Sequence, residues 1–128
     1  MGLIDGAPVF AAYDPVFGDL VYIENPTEES PVVTFVDGVP TDAVIDADPT
    51  GVRGGVSRPG PDRGRWPDMA VAADGTAHIV YRDAEAQSLR YVRREADGTW
   101  TTPVVIDDQG DVGHFPKIRL DAEGRPHI

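Results

Sequence analysis

Apolar residues in this chain come in short bursts, each closed by a cluster rich in Gly, Pro or Asp. Residues 67–73, 77–82, 88–94 and 101–106 are such bursts. They are rich in Val, Ile, Tyr and other strand formers, so the pattern predicts four consecutive β-strands. Asp74-Gly75 and Asp97-Gly98 fall between them as hairpin turns, with the first loop slightly longer than two residues, because Gly and Asp tolerate positive φ at little cost. A helical apolar period never runs for as many as about 11 residues without a Gly or Pro interrupting it. The chain therefore reads as all-β.

The same pattern recurs. Residues 64–79, GRWPDMAVAADGTAHI, align without a gap on residues 113–128, GHFPKIRLDAEGRPHI, at an offset of 49 (113 − 64). Gly64/Gly113, Pro67/Pro116, Gly75/Gly124, His78/His127 and Ile79/Ile128 are identical, while Trp66/Phe115, Met69/Ile118 and Val71/Leu120 keep their bulk. At an offset of 69 the N-terminal half joins in, with Asp5-Gly6 on Asp74-Gly75, Asp14 on Asp83, Leu20 on Leu89 and Tyr22 on Tyr91. Further on, Asp37-Gly38 pairs with Asp97-Gly98, and Val44-Ile45-Asp46 with Val105-Ile106-Asp107, which places the extra length of the first half in two separate insertions. A four-stranded unit of about 40–50 residues that repeats in this way predicts β-propeller blades. Residues 1–63 make blade one with long insertions, 64–112 blade two, and 113–128 a terminal strand.

Composition narrows the function classes. The formal net charge is −11, from 22 acidic and 11 basic residues. Such a surface repels nucleic-acid phosphates, and its plain consequence is solubility. There is no Cys, which removes disulfides, thiolate nucleophiles and Cys-bound zinc. No run approaches the roughly 18 apolar residues that span a bilayer, so no membrane partner is expected. The first residues, MGLIDGAPVFAAYD, do not read as a signal peptide, and the compartment stays open.

The succession D-G-x-x-H-I-x-Y, L-x-Y, D-G-x-W and G-x-F-P resembles bacterial six-bladed β-propellers of the sialidase-like, BNR-repeat-like kind. The resemblance covers residues 3–24 and 64–128 and is poor over 25–63. The sialidase Asp box is only partly echoed, by Glu95-Ala96-Asp97-Gly98-Thr99-Trp100. The resemblance implies the fold and not the enzymology. Because two blades cannot close a ring of about 4–8, the reading adds oligomerisation, with a homotrimer of six blades favoured. Phe115, Ile118, Leu120 and Ile128 would complete the neighbour's first blade, whose own innermost strand is reduced to about Gly2–Ile4. Ending within a strand also suits a piece of a longer propeller.

Candidate chemistry is sparse. Trp66, Trp100 and Phe115 could stack on sugar rings, with Arg65, Arg90 and Glu95 for polar contacts, and small bacterial fucose-binding lectins resemble this two-repeat, trimeric layout. Packing between blades is the plainer role for those aromatics. Asp46, Asp48 and Thr50 imitate the opening of an oxygen-rich calcium loop, but Ser57 stands where a bidentate carboxylate belongs, so any cofactor is limited to Ca²⁺. His78 and His127 sit at equivalent positions, which favours a repeated bond to a neighbouring strand's backbone over ligation. His114 is expected on the surface, and Tyr81 and Tyr91 in the strand core. The Pro/Gly-rich residues 48–63 read as a binding loop or as disorder, and lack the lysine of a phosphate loop. Neither G-x-S-x-G nor H-E-x-x-H occurs. The functional expectation is a non-catalytic binding or scaffold module, with a lectin as the alternative and a remnant of a sialidase-like hydrolase third.

Overall fold

The computed structural model describes residues 1–128, and it contains strands and turns but no helix. Sheet one is antiparallel, in the order β1 (Gly2–Ile4), β2 (Ala7–Asp14), β3 (Asp19–Glu24), β4 (Val32–Asp37). Sheet two repeats that meander with β5 (Arg63–Val71), β6 (Ala77–Asp83), β7 (Ser88–Arg94) and β8 (Val104–Asp107). A small hairpin of β9 (Arg119–Leu120) and β10 (Pro126–His127) follows. The strands follow the apolar runs, with β6 buried along its whole length, and local chemistry sets each turn. Asp5 and Gly6 both take positive φ, 50° and 80°, which gives β1–β2 the two-residue turn whose twist matches the strands. Asp74, Asp97 and Asp121 each accept a backbone N–H two residues on, from Thr76, Thr99 and Glu123.

The two sheets stack face to face, and the core lies between them. Val9, Leu20 and Tyr22 of sheet one meet Met69, Ala77, Ile79, Tyr81 and Val92 of sheet two. Tyr81 is fully buried, as expected of a core strand residue. Ile118 is also fully buried, although it precedes the terminal hairpin, so its side chain is covered within this chain.

One joint builds both contacts between successive layers. Gly64 sits so close to β3 that a Cβ there would lie 2.6 Å from the Leu20 backbone, and a Cβ on Gly113 would lie 3.1 Å from that of Leu89. The Arg63 N–H donates to Gly18 O at 2.7 Å, and the Val112 N–H to Gln87 O at 3.2 Å. Gly18 and Gln87 both have positive φ, as do Trp66 and Phe115 (52° and 49°). A register shift falls after Leu20 in β3–β4 and after Leu89 in β7–β8. All of these pairs obey the offsets of 49 and 69 read from the sequence.

Sheet one corrects one part of that reading. Its fourth strand is Val32–Asp37, and Val44, Ile45 and Asp46 lie in a loop, with Val44 81% and Ile45 60% exposed. Leu20 pairs with Asp37 as Leu89 pairs with Asp107, so Asp37-Gly38 is not the counterpart of Asp97-Gly98. Thr34-Phe35-Val36-Asp37 on Val104-Val105-Ile106-Asp107 is the match that the pairing selects. The extra length therefore falls in one place. Asp37 to Gly64 is 27 residues (64 − 37) against 6 for Asp107 to Gly113 (113 − 107). That insertion folds back on sheet one, with Arg53 and Gly55 buried, so the Pro/Gly-rich stretch is ordered. The terminal strand expected over residues 113–128 is confined to the short strands Arg119–Leu120 and Pro126–His127.

Candidate functional site

Where the layers meet at the Gly64 end, a charged and aromatic cluster opens to solvent. Asp62 leads into β5 and faces the end of β2. It accepts the Tyr13 hydroxyl at 2.8 Å and Arg65 Nε at 2.8 Å, while the Arg65 guanidinium lies 5.7 Å from the Tyr13 ring centre. Burial works against the Asp62 charge, but the bonds from Arg65 and Tyr13 outweigh it and hold the carboxyl below its ordinary pKa. Burial and the neighbouring carboxylate both push the Tyr13 hydroxyl up.

The second joint carries the same arrangement with other side chains. Arg82 stands at the Tyr13 position, Asp111 at the Asp62 position and His114 at the Arg65 position. Arg82 binds the Asp111 carboxylate and the Val112 carbonyl, and His114 Nε2 lies 3.9 Å from Asp111. Between the two clusters, Trp66 lies 4.5 Å from Phe115 and 5.2 Å from His114, centroid to centroid, which makes a continuous aromatic shelf. Phe115 is 66% exposed. A cleft of about 560 Å³ runs beside the shelf, lined by Asp62, Arg65, Trp66, Arg82, Glu85 and His114 among others. Both rings sit on residues with positive φ: Trp66 at the register shift between Arg65 and Asp68 of β5, and Phe115 in a bend before β9.

The sugar-contact candidates thus divide. Trp66, Phe115 and Arg65 come together on the shelf. Trp100 does not join them; it packs edge-on against Tyr22 between the sheets, 5.2 Å away at 77°. Arg90 lies in the sheet interface, 3.2 Å from Asp37 and 3.5 Å from Asp83. Glu95 pairs with Arg93 on the opposite face of sheet two.

That opposite face lines a cleft of about 570 Å³ with the terminal hairpin, including His78, Arg93, Glu95, Leu120 and Asp121. His78 Nδ1 meets the Tyr91 hydroxyl at 2.7 Å, so its partner is a side chain on the adjacent strand rather than the expected backbone. Burial lowers the His78 pKa. His127 bonds Asp121 instead, whose carboxyl the Arg125 backbone and the His127 side chain hold down at about 2.

Asp48 and Thr50 bond each other, while Asp46 bonds Ser57. Asp46 accepts Ser57 through its N–H (2.8 Å) and Oγ (2.7 Å), and Asp48 accepts Thr50 in the same way. No group of three or more His, Asp or Glu side chains gathers anywhere to hold an ion.

The cluster that sequence reasoning missed is internal. Asp37 of β4 accepts the Tyr81 hydroxyl at 2.6 Å and faces both Arg63 (3.3 Å) and Arg90 (3.2 Å), while Asp83 takes Arg63 Nε at 2.8 Å. It ties sheet one to sheet two beneath the shelf. Burial and the adjacent Asp37 push the Tyr81 hydroxyl far up. Burial opposes the Arg63 charge, but Asp83 and Asp37 outweigh it and raise its pKa.

The chain matches no family model, no curated protein and no solved structure.

Proposed function

We propose that the chain is a β-propeller segment that works as a non-catalytic binding and scaffold module, assembling head to tail into a ring. The observation that carries this reading is the repeated joint, in which Gly64 on Leu20 and Gly113 on Leu89 set successive layers by one rule. A rule that turns each layer onto the last by the same step generates a closed ring when the steps sum to a full turn. Sheet one leaves Phe10, Ile23 and Val33 half-buried on its far side, and sheet two has only the terminal hairpin on its far side. Neighbouring copies placed by the same joint, one on each side, would cover the two faces. By the two offsets β10 stands where residues 8–9 stand in sheet one, so in the assembly residues 113–128 would complete a neighbour's first blade. Six blades from three copies is the favoured closure. The solution mass of the intact chain tests this reading.

The second reading, a carbohydrate-binding lectin, is favoured by the shelf. Sugar rings present C–H faces that stack on aromatics, and paired Asp and Arg groups accept from and donate to neighbouring hydroxyls. Trp66 would be the stacking surface, Phe115 its extension, and Arg65–Asp62 the polar grip. On a glycan array the chain is expected to bind a restricted set of sugars, and those sugars to change Trp fluorescence. Trp66→Ala is expected to weaken binding at least about tenfold, on the order of one lost stacking contact. Trp100→Phe, altered away from the shelf, should leave it unchanged. Equal binding by the wild type and Trp66→Ala would remove the shelf from the account.

A further inference from the structure

The insertion that only sheet one carries makes its hydrogen bond to the rest of the chain through a single side chain. Residues 39–61 make many hydrogen bonds, and all but one stay within the segment: Asp46 with Ser57, Asp48 with Thr50, Arg58 with Asp42, and the backbone pairs around Gly51 and Gly55. The exception is Arg53. Its Nε donates to Asp19 Oδ2 at 2.7 Å, and its guanidinium carbon lies 4.0 Å from the centre of the Phe17 ring and 5.7 Å from that of Phe35. Asp19 is fully buried and Arg53 is 8% exposed. Asp19, Phe17 and Phe35 thus offer one carboxylate and two aromatic rings to the same guanidinium, an arrangement that recognises a planar cation.

The resident cation satisfies this pocket incompletely. Asp19 Oδ1 and Arg53 Nη2 are both buried without a hydrogen-bond partner. Arg53 Nη1 turns back to its own segment, to the Val56 carbonyl at 2.5 Å and the Arg58 carbonyl at 3.2 Å. A buried ion pair with orphaned atoms recovers little of its desolvation cost, so closure over the pocket is shallow in free energy. The layers do not need the segment either. Sheet two makes the same joint with its successor in 6 residues between Asp107 and Gly113 (113 − 107).

We propose that Phe17, Asp19 and Phe35 form a receptor site for a guanidinium group, which the chain's own Arg53 plugs and which an arginine side chain of a partner peptide occupies when residues 39–61 lift away. Arginine fits better than lysine, because only a flat guanidinium can lie on the Phe17 ring while an N–H points at the carboxylate. The net charge of −11 draws basic peptides to the surface. The tethered Arg53 competes at a high effective concentration, so a free ligand must match it or bring further contacts.

Removing the plug exposes the site. Arg53→Ala, titrated with methylguanidinium, is expected to gain melting temperature saturably by about 5 °C. The uncharged isostere urea should produce no such rise, and neither should methylguanidinium on Arg53→Ala combined with Asp19→Asn. Absence of a saturable rise in folded Arg53→Ala, or a rise that survives loss of the Asp19 charge, overturns the proposal. Should Arg53→Ala not fold, the wild-type chain decides. A tetra-arginine peptide should speed proteolytic cleavage within residues 39–61 several-fold relative to a tetra-glycine control, and unchanged cleavage overturns the proposal.

Discussion

Gly64→Ala is expected to lower the unfolding free energy by about 3 kcal/mol, measured as a shift of the urea midpoint. Two costs combine at this residue. Its φ of 120° is a conformation that L side chains rarely adopt, which costs on the order of 1–3 kcal/mol. An added Cβ would also stand 2.6 Å from the Leu20 backbone, inside any tolerable contact, so the layers must separate. Gly113→Ala provides the comparison. There φ is 82° and the nearest backbone is 3.1 Å away, so the neighbouring strand need give only a few tenths of an ångström. A cost of about 1 kcal/mol is expected. If the two substitutions cost the same, close approach at the joint is not what holds the sheets in register.

The second large effect belongs to Asp37. Asp37→Ala should cost about 3 kcal/mol, because it leaves the Tyr81 hydroxyl in the sheet interface without its carboxylate and both Arg63 and Arg90 with Asp83 alone. The side chains of Asp37 and Arg90 are only 10% and 13% exposed, so water does little to compensate. Asp37→Asn should cost less, since its amide oxygen still accepts from Tyr81. The equivalent Asp107 of sheet two is exposed and only caps the Gln109 N–H, so Asp107→Ala should change stability little. Urea denaturation of the three variants reads the difference, and equal midpoints for Asp37→Ala and Asp107→Ala would show that the network adds nothing.

The contrast between these aspartates shows what the sequence could and could not convey. The number and order of the strands of sheet two were legible because its apolar runs end at Asp-Gly turns, although β5 begins four residues earlier than expected and β8 three residues later. β7 begins and ends where the pattern places it, and β6 runs one residue longer. Sheet one misled at its fourth strand because Val-Ile-Asp is a short match, and strand identity depends on pairing with β3 rather than on a tripeptide. Asp37 beside Gly38 looked like a turn, and its role in tying the sheets depends on Tyr81, Arg63 and Arg90, which lie far from it in sequence.

The candidate site was half legible for a related reason. Trp66 and Phe115 share a repeat position, and the structure brings their rings together. Trp100 looked equivalent as an aromatic, but it follows the Asp97-Gly98 turn and faces Tyr22 instead. The paired clusters Tyr13–Asp62–Arg65 and Arg82–Asp111–His114 keep only the aspartate in common. Residue identity could not reveal a correspondence that survives only as geometry. Arg53 gave no signal at all, because nothing in a Pro- and Gly-rich stretch marks which side chain will return to a sheet 34 residues earlier.

Ring assembly is tested most directly by the mass of the intact chain in solution, measured by light scattering behind a sizing column. The account predicts a single species of about three times the 13.8 kDa chain mass, which falls to the monomer when residues 113–128 are removed. A folded, monodisperse species of 13.8 kDa across the accessible concentration range would contradict it.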